Sequence, residues 1–175
     1  GVVDMGQGAH TILRQIAAEE MGIAFDAVQI VSGDSDIAPL DLGSVASRVT
    51  HIAGNAVKMA VGRVRAKLVR KAGEMLEASE KDNKIKESTV FVEGAPERSL
   101  SLADVALKCH KDGELIVSEA TYNPPDLHLD KENGQGKPYD CYVFATHAAE
   151  VEVDIETGEY RVLRLAAAHD VGRAV

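Results

Sequence analysis

Three short runs bring together residue types that can do chemistry. Gly6-Gln7-Gly8 leads directly into a stretch of helical period. Its glycines let backbone approach a ligand closely, the helix N-terminus offers free N–H groups to an anion, and Gln7 adds an amide donor and acceptor. Gly43-Ser44-Val45-Ala46-Ser47-Arg48-Val49-Thr50 opens a second, longer helix. There Ser44, Ser47 and Thr50 supply hydroxyls and Arg48 one cation, a set that holds phosphate through amides, hydroxyls and charge. Lacking Gly-Lys-Ser/Thr, it is not a P-loop. Gly134-Gln135-Gly136 repeats the first tripeptide but runs into Lys137-Pro138 without a helix, and reads as a plain turn. The bland alternative for the first two is an ordinary strand-to-helix turn and an ordinary capped helix.

Other chemistries fall away. Asp34, Asp36 and Asp41 hint at calcium, but Pro39 stands where an EF-hand loop needs glycine and no Glu follows at the twelfth position. The six histidines show no HxxxH spacing, which argues against zinc. Neither Cys109 nor Cys141 has an obvious activating context, and there is no GxSxG elbow.

Several elements must position these runs. Val2 to Met5 reads as a short strand. From Ala9, Ile12, Ile16 and Met21 or Glu20 stack at helical spacing until Gly22 ends the run. Ala27 to Val31 is strand-like and Asp34 to Ser44 a loop. Val45, Val49, Ile52, Ala56, Ala60, Val64, Leu68, Ala72 and Met75 then form one stripe. It predicts a helix from about Ser44, roughly 30 residues and on the order of 45 Å long. Small residues line its first half. Residues 58–87 carry nine basic and five acidic side chains, read as a solvated face rather than an anion site. Strands follow at Ser88 to Val92 and Glu97 to Leu100. Leu102 to Cys109 is a short helix capped by Ser101 with Asp104 at N3. Leu115 to Thr121 reads as a strand, and Asn123 to Lys137 as a loop. Val151, Val153 and Ile155 alternate with acids before Thr157-Gly158, and Tyr160 to Ala168 returns with Arg161 and Arg164 facing those acids. The fold class is α+β, a mixed sheet with a long helix after the second glycine loop.

The composition bounds the function. Among 175 residues, 19 Lys and Arg against 28 Asp and Glu give a net charge of −9, which excludes a nucleic-acid binder working through a basic surface. No apolar run approaches a membrane span. Two cysteines outside any CxxC or secreted pattern make a reducing cytoplasm the expected compartment. Both ends are in mid-pattern, so residues 1–175 read as a fragment of one larger domain.

The ordered motifs carry a resemblance. Asp4-Met5-Gly6-Gln7-Gly8-Ala9-His10-Thr11, then Gly33-Asp34-Ser35-Asp36, then Gly43 to Thr50 with Gly54, resembles the molybdenum hydroxylases. These are the molybdopterin-binding catalytic subunits of the xanthine dehydrogenase, aldehyde oxidase and carbon monoxide dehydrogenase group. Tyr142-Val143-Phe144-Ala145-Thr146-His147, Val151-Glu152-Val153-Asp154 with Glu156-Thr157-Gly158, and His169 to Val175 agree in order; residues 75–120 agree thinly. The stretch Gly134 to Tyr139 resembles the 4-hydroxybenzoyl-CoA reductase branch.

The resemblance implies that Gly6, Gln7 and Gly8 border the cofactor, with Gln7 hydrogen-bonding near molybdenum without ligating it. It implies that Ala46, Ser47, Arg48 and Thr50 hold the pterin or its nucleotide diphosphate, in the cytosine dinucleotide form. The implied reaction is hydroxylation of a heteroaromatic or aldehyde substrate, or reductive dehydroxylation of an aromatic thioester. Iron–sulfur clusters, and in some branches FAD, would sit on other domains or subunits. The family's catalytic base lies in a Gly-x-Gly-Glu stretch that this chain lacks, so no catalytic residue is assigned and the fragment alone is expected to be inactive. The rival expectation is a non-enzymatic anion-binding or assembly module whose glycine loops only cap helices.

Overall fold

In a computed structural model, residues 1–125, 128–172 and 174 are described. The chain divides into two compact units, Gly1–Asn123 and Pro124–Val175.

The first unit is built on two packed helices. Helix α1 (Ala9–Met21) buries Ala9, Leu13 and Ala18 and ends at Gly22, whose left-handed backbone (φ 79°) returns its N–H to the carbonyls of Ala18 and Glu19. Helix α2 (Gly54–Leu76) lies against it. Glycine makes the approach close: a Cβ on Gly54 would stand 2.8 Å from Ile16 Cδ1, and one on Gly62 would stand 3.3 Å from the Glu20 carboxylate. The stripe along α2 faces the core as the spacing predicts. Leu68 and Ala72 bury with Ile85, Val90, Val105 and Cys109, while Val64 and Met75 pack at the margin.

The start of this helix differs from expectation. The α-helix begins at Gly54, preceded by a π-helical turn over Val49–Ala53, and Val45 lies exposed outside it. The reason is local: Ala46 and Ser47 have φ of 51° and 54°, a left-handed pair that an α-helix cannot contain.

Three antiparallel strands cover the far end of α2: β1 (Asn83–Lys86), β2 (Thr89–Val92) and β3 (Ala95–Ser101), in the order β1-β2-β3. Helix α3 (Leu102–Lys111) follows, capped as expected, with Ser101 Oγ accepting from Asp104 N at 3.0 Å. The basic residues of α2 are not simply solvated. Lys71 is buried and pairs with Glu74, Asp112 and Glu114, and Arg70 reaches Glu74 and Glu114. Hydrogen bonds that the Lys71 ammonium donates to these acids, Glu114 first, raise the Lys71 pKa well above the ordinary lysine range.

Three expected strands lie outside any ladder, and Ala27 of the second belongs to the 3-10 turn Phe25–Ala27. Residues 2–5, 27–31 and 115–121 have no strand partner among the described residues. Side chains take their carbonyls instead. Arg14 donates to the carbonyls of Val28 and Phe25 while stacking on the Phe25 ring. Lys67 donates to Leu115 and Val117, and Arg63 to Glu119.

The second unit contains two hairpins. The short one pairs β4 (His128–Leu129) with β5 (Gly136–Lys137). Gly134-Gln135-Gly136 forms its turn and entry, the plain role expected of it. The long one pairs β6 (Phe144–Val153) with β7 (Tyr160–Asp170). Arg161 bonds Glu152 at 2.7 Å and Arg164 stands opposite Glu150 in register, as the alternation predicts, although Ile155 lies beyond the strand. Every residue of both strands is exposed within this chain.

Candidate cofactor site

The residues ahead of α1 are organised by Asp4. Its Oδ1 accepts from Gly6 N at 2.8 Å and Gly8 N at 3.3 Å, and its Oδ2 accepts from His10 N at 3.2 Å. These N–H groups, Gly6 first, hold the Asp4 pKa below the usual carboxylate value. The N-terminal end of α1 therefore already carries an anion of its own. Of the N–H groups in the first turn of α1, expected to be free for a ligand, that of His10 is taken by Asp4. Asp4 was missed as a capping residue, and the signal was an aspartate two and four residues before the two glycines, a spacing suited to a self-capped turn.

Gln7 is left projecting from this turn. Its Oε1 accepts from Met5 N at 2.7 Å, and its Nε2 donates to Val3 O at 3.2 Å and to Ser44 Oγ at 3.1 Å. The last bond spans 37 residues and joins the two glycine-led loops. Together they form one cleft of about 540 Å³, lined by Met5, Gln7 and residues 44–50. Thus Gln7, Ala46, Ser47, Arg48 and Thr50 come together, while Gly6 and Gly8 set the turn behind Gln7.

Within the second loop the groups have different duties. Ser44 donates to Val3 O at 2.6 Å, so its hydroxyl fastens the loop rather than standing open. Arg48 Nη1 lies 2.8 Å from both Asp41 oxygens and also donates to Gly43 O at 3.1 Å. Burial pushes the Asp41 pKa up, but the Arg48 hydrogen bond and the Gly43 N–H outweigh it and hold it below the usual value. The cation expected to meet a phosphate is therefore paired with Asp41 through Nη1, and that pair braces the loop. Asp41 belongs to that brace and not to a calcium site; among the described residues no group of three or more His, Cys, Asp and Glu side chains converges.

What remains open is the Ala46–Thr50 segment. The left-handed Ala46 and Ser47 are followed by right-handed Arg48 at φ −81°, whose own N–H donates back to Val45 O at 3.1 Å. Ala46 N, Ser47 N and the hydroxyls of Ser47 and Thr50 make no hydrogen bond among the described residues. Non-glycine residues in left-handed backbone each carry roughly 1–2 kcal/mol of strain. Strain of this kind collects at functional sites, as do π-helical turns. The cradle suits a ligand rich in acceptor oxygens and carrying negative charge. His51, in the π turn, packs edge-on against Tyr122 and does not line the cleft.

A family model described as "Molybdopterin cofactor-binding domain" matches residues 1–175. The chain is 31% identical over 178 residues to the carbon monoxide dehydrogenase large chain of Hydrogenophaga pseudoflava, covering 100% of this chain and 21% of that protein. It is 33% identical over 172 residues to the nicotine 6-hydroxylase large subunit of Paenarthrobacter nicotinovorans, covering 98% of this chain and 20% of that one. The reconstituted CO dehydrogenase structure from Oligotropha carboxidovorans superposes with a TM-score of 0.76 at 30% identity, over 98% of this chain and 20% of its own. The chain thus spans about a fifth of the length of these relatives. Motif order, mixed fold and full-length match agree: the chain belongs to the molybdopterin cofactor-binding domain family of the molybdenum hydroxylases.

Proposed function

We propose that the cleft joining Gln7 to Ala46–Thr50 is part of the wall that holds molybdopterin in a molybdenum-dependent hydroxylase or dehydrogenase. The observation that carries this reading is the set of groups without a hydrogen bond among the described residues, the N–H of Ala46 and Ser47 and the hydroxyls of Ser47 and Thr50, tied to Gln7 through Ser44. The cofactor is taken to be the cytosine dinucleotide form, with the residue 46–50 cradle on its phosphates and Gln7 beside the pterin end. When bound, the molybdenum centre supplies oxygen transfer and two-electron redox chemistry. This chain's part is to bind and orient, since it contains no base of the family type.

The substrate proposed is a heteroaromatic, an aldehyde or an aromatic thioester, with iron–sulfur clusters and FAD carried by other domains or subunits. The nicotine 6-hydroxylase relative favours the heteroaromatic class. A cytoplasmic setting suits the free thiols Cys109 and Cys141.

The test is made on the purified full-length enzyme. Acid hydrolysis of its cofactor is expected to release cytidine monophosphate. Ser47→Ala combined with Thr50→Ala is expected to lower molybdenum per subunit severalfold at unchanged thermal midpoint. Full molybdenum content in that double variant would refute the cradle, and release of a different nucleotide would refute the dinucleotide assignment.

A further inference from the structure

We infer that Ser44 is a positioning residue that sets the orientation of the Gln7 amide, an inference resting on the reading of this cleft as the cofactor wall. Three hydrogen bonds form a closed triangle. Ser44 Oγ donates to Val3 O at 2.6 Å, Gln7 Nε2 donates to the same Val3 O at 3.2 Å, and Gln7 Nε2 donates again to Ser44 Oγ at 3.1 Å. A hydroxyl has one proton, and Ser44 places it on Val3. It therefore meets Gln7 only as an acceptor. That fixes the amide nitrogen toward Ser44 and leaves Oε1 toward Met5 N at 2.7 Å. The reversed amide would set an oxygen against both Val3 O and Ser44 Oγ and a nitrogen against the Met5 N–H, so the network admits one orientation.

Gln7 is exposed and its side chain has three rotatable bonds, so without the triangle it would spread over several rotamers. Ser44 thus acts on the ligand through Gln7, whereas Ser47 and Thr50 offer their hydroxyls to it directly.

The experiment follows the rate at which molybdenum leaves the loaded full-length enzyme in mild denaturant, for Ser44→Ala, Gln7→Ala and the double variant, with thermal midpoints measured alongside. Each single change is expected to speed release roughly fivefold, the factor that one ordinary hydrogen bond supplies. The double variant is expected to match Gln7→Ala alone, because groups acting as one unit do not add. Ser44→Thr, which keeps the hydroxyl, is expected to restore the parent rate. An additive double variant would overturn the inference. So would parent-like release from Ser44→Ala beside fast release from Gln7→Ala, or a crystal structure of Ser44→Ala with the Gln7 amide in place. Parent-like release from Gln7→Ala and from Ser47→Ala together would instead defeat the reading of the cleft, and this inference with it.

Discussion

The two ends of α1 offer a controlled comparison between backbone strain and steric collision. Gly8 stands at the N-cap with φ 82° and ψ 25°, and Gly22 at the C-cap with φ 79° and ψ 38°, nearly the same left-handed conformation. Their surroundings differ. A Cβ on Gly8 meets nothing within 4 Å, whereas one on Gly22 would lie 2.8 Å from the backbone oxygen of Ile85. In Gly8→Ala the cost is conformational only, about 1–2 kcal/mol for left-handed alanine. The stiffer unfolded chain returns about 0.4–1 kcal/mol of that. The net loss is about 1 kcal/mol. Gly22→Ala carries the same loss plus the overpacking of α1 against β1, about 1–3 kcal/mol more. Urea denaturation of the purified protein, with equal slopes for both variants, measures the difference. Gly8→Ala should also loosen the turn around Asp4 from which Gln7 projects, and so reduce bound molybdenum; Gly22→Ala should not. Equal stability losses for the two variants would refute the collision. An unchanged midpoint for Gly8→Ala would refute the strain.

Three further outcomes are expected. Asp4 has a folded pKa lowered by backbone N–H donors, so its contribution is present above the ordinary carboxylate value near 3.8 and is lost as pH falls through the lower folded value. Acid titration of Asp4→Asn should accordingly show a smaller fall in stability across that window than the parent. Gln7→Ala should lower activity of the full-length enzyme without shifting its thermal midpoint, while Gln135→Ala, in the β4–β5 turn, should change neither activity nor bound molybdenum. The 175-residue chain alone should turn over no purine, aldehyde or aromatic thioester, because it has no Gly-x-Gly-Glu base; any turnover of these would contradict that expectation.

What was legible in the residues was what local forces decide. The 3.6-residue stripe of α2 and the Ser101 cap of α3 each rest on neighbours a few positions away, and the β6–β7 alternation on a short turn. The three unladdered segments show the limit of such reading. Their β-branched residues specify an extended backbone, but nothing in residues 115–121 says that Lys67 and Arg63 will take the carbonyls. β1 was invisible for a related reason: Asn83 to Lys86 has one apolar residue and becomes a strand only by pairing with β2. The α2 start was misread because Ala46 and Ser47 fit a helix by composition, and a left-handed pair leaves no mark in residue type. For the site, proximity of the glycine loops was implied by the resemblance, which sets one cofactor against both. The duties within them did not: Asp4 caps α1, Arg48 braces Asp41, and Ser44 anchors Gln7.

The left-handed pair at Ala46 and Ser47 constrains which variants the lineage can explore. At such backbone angles glycine is accepted freely, asparagine and aspartate are tolerated, and β-branched side chains are close to excluded. Position 47, however, also presents a hydroxyl. Glycine there would relax the backbone and erase the donor; aspartate would keep a polar group and repel an anion; threonine would keep the hydroxyl and clash with its own main chain. Serine is the residue that meets both demands, and it does so at a standing cost in stability. Laboratory selection for thermal resistance alone should therefore drift position 47 toward glycine, yielding a sturdier protein and, on the proposed reading of the cradle, a weaker hold on cofactor.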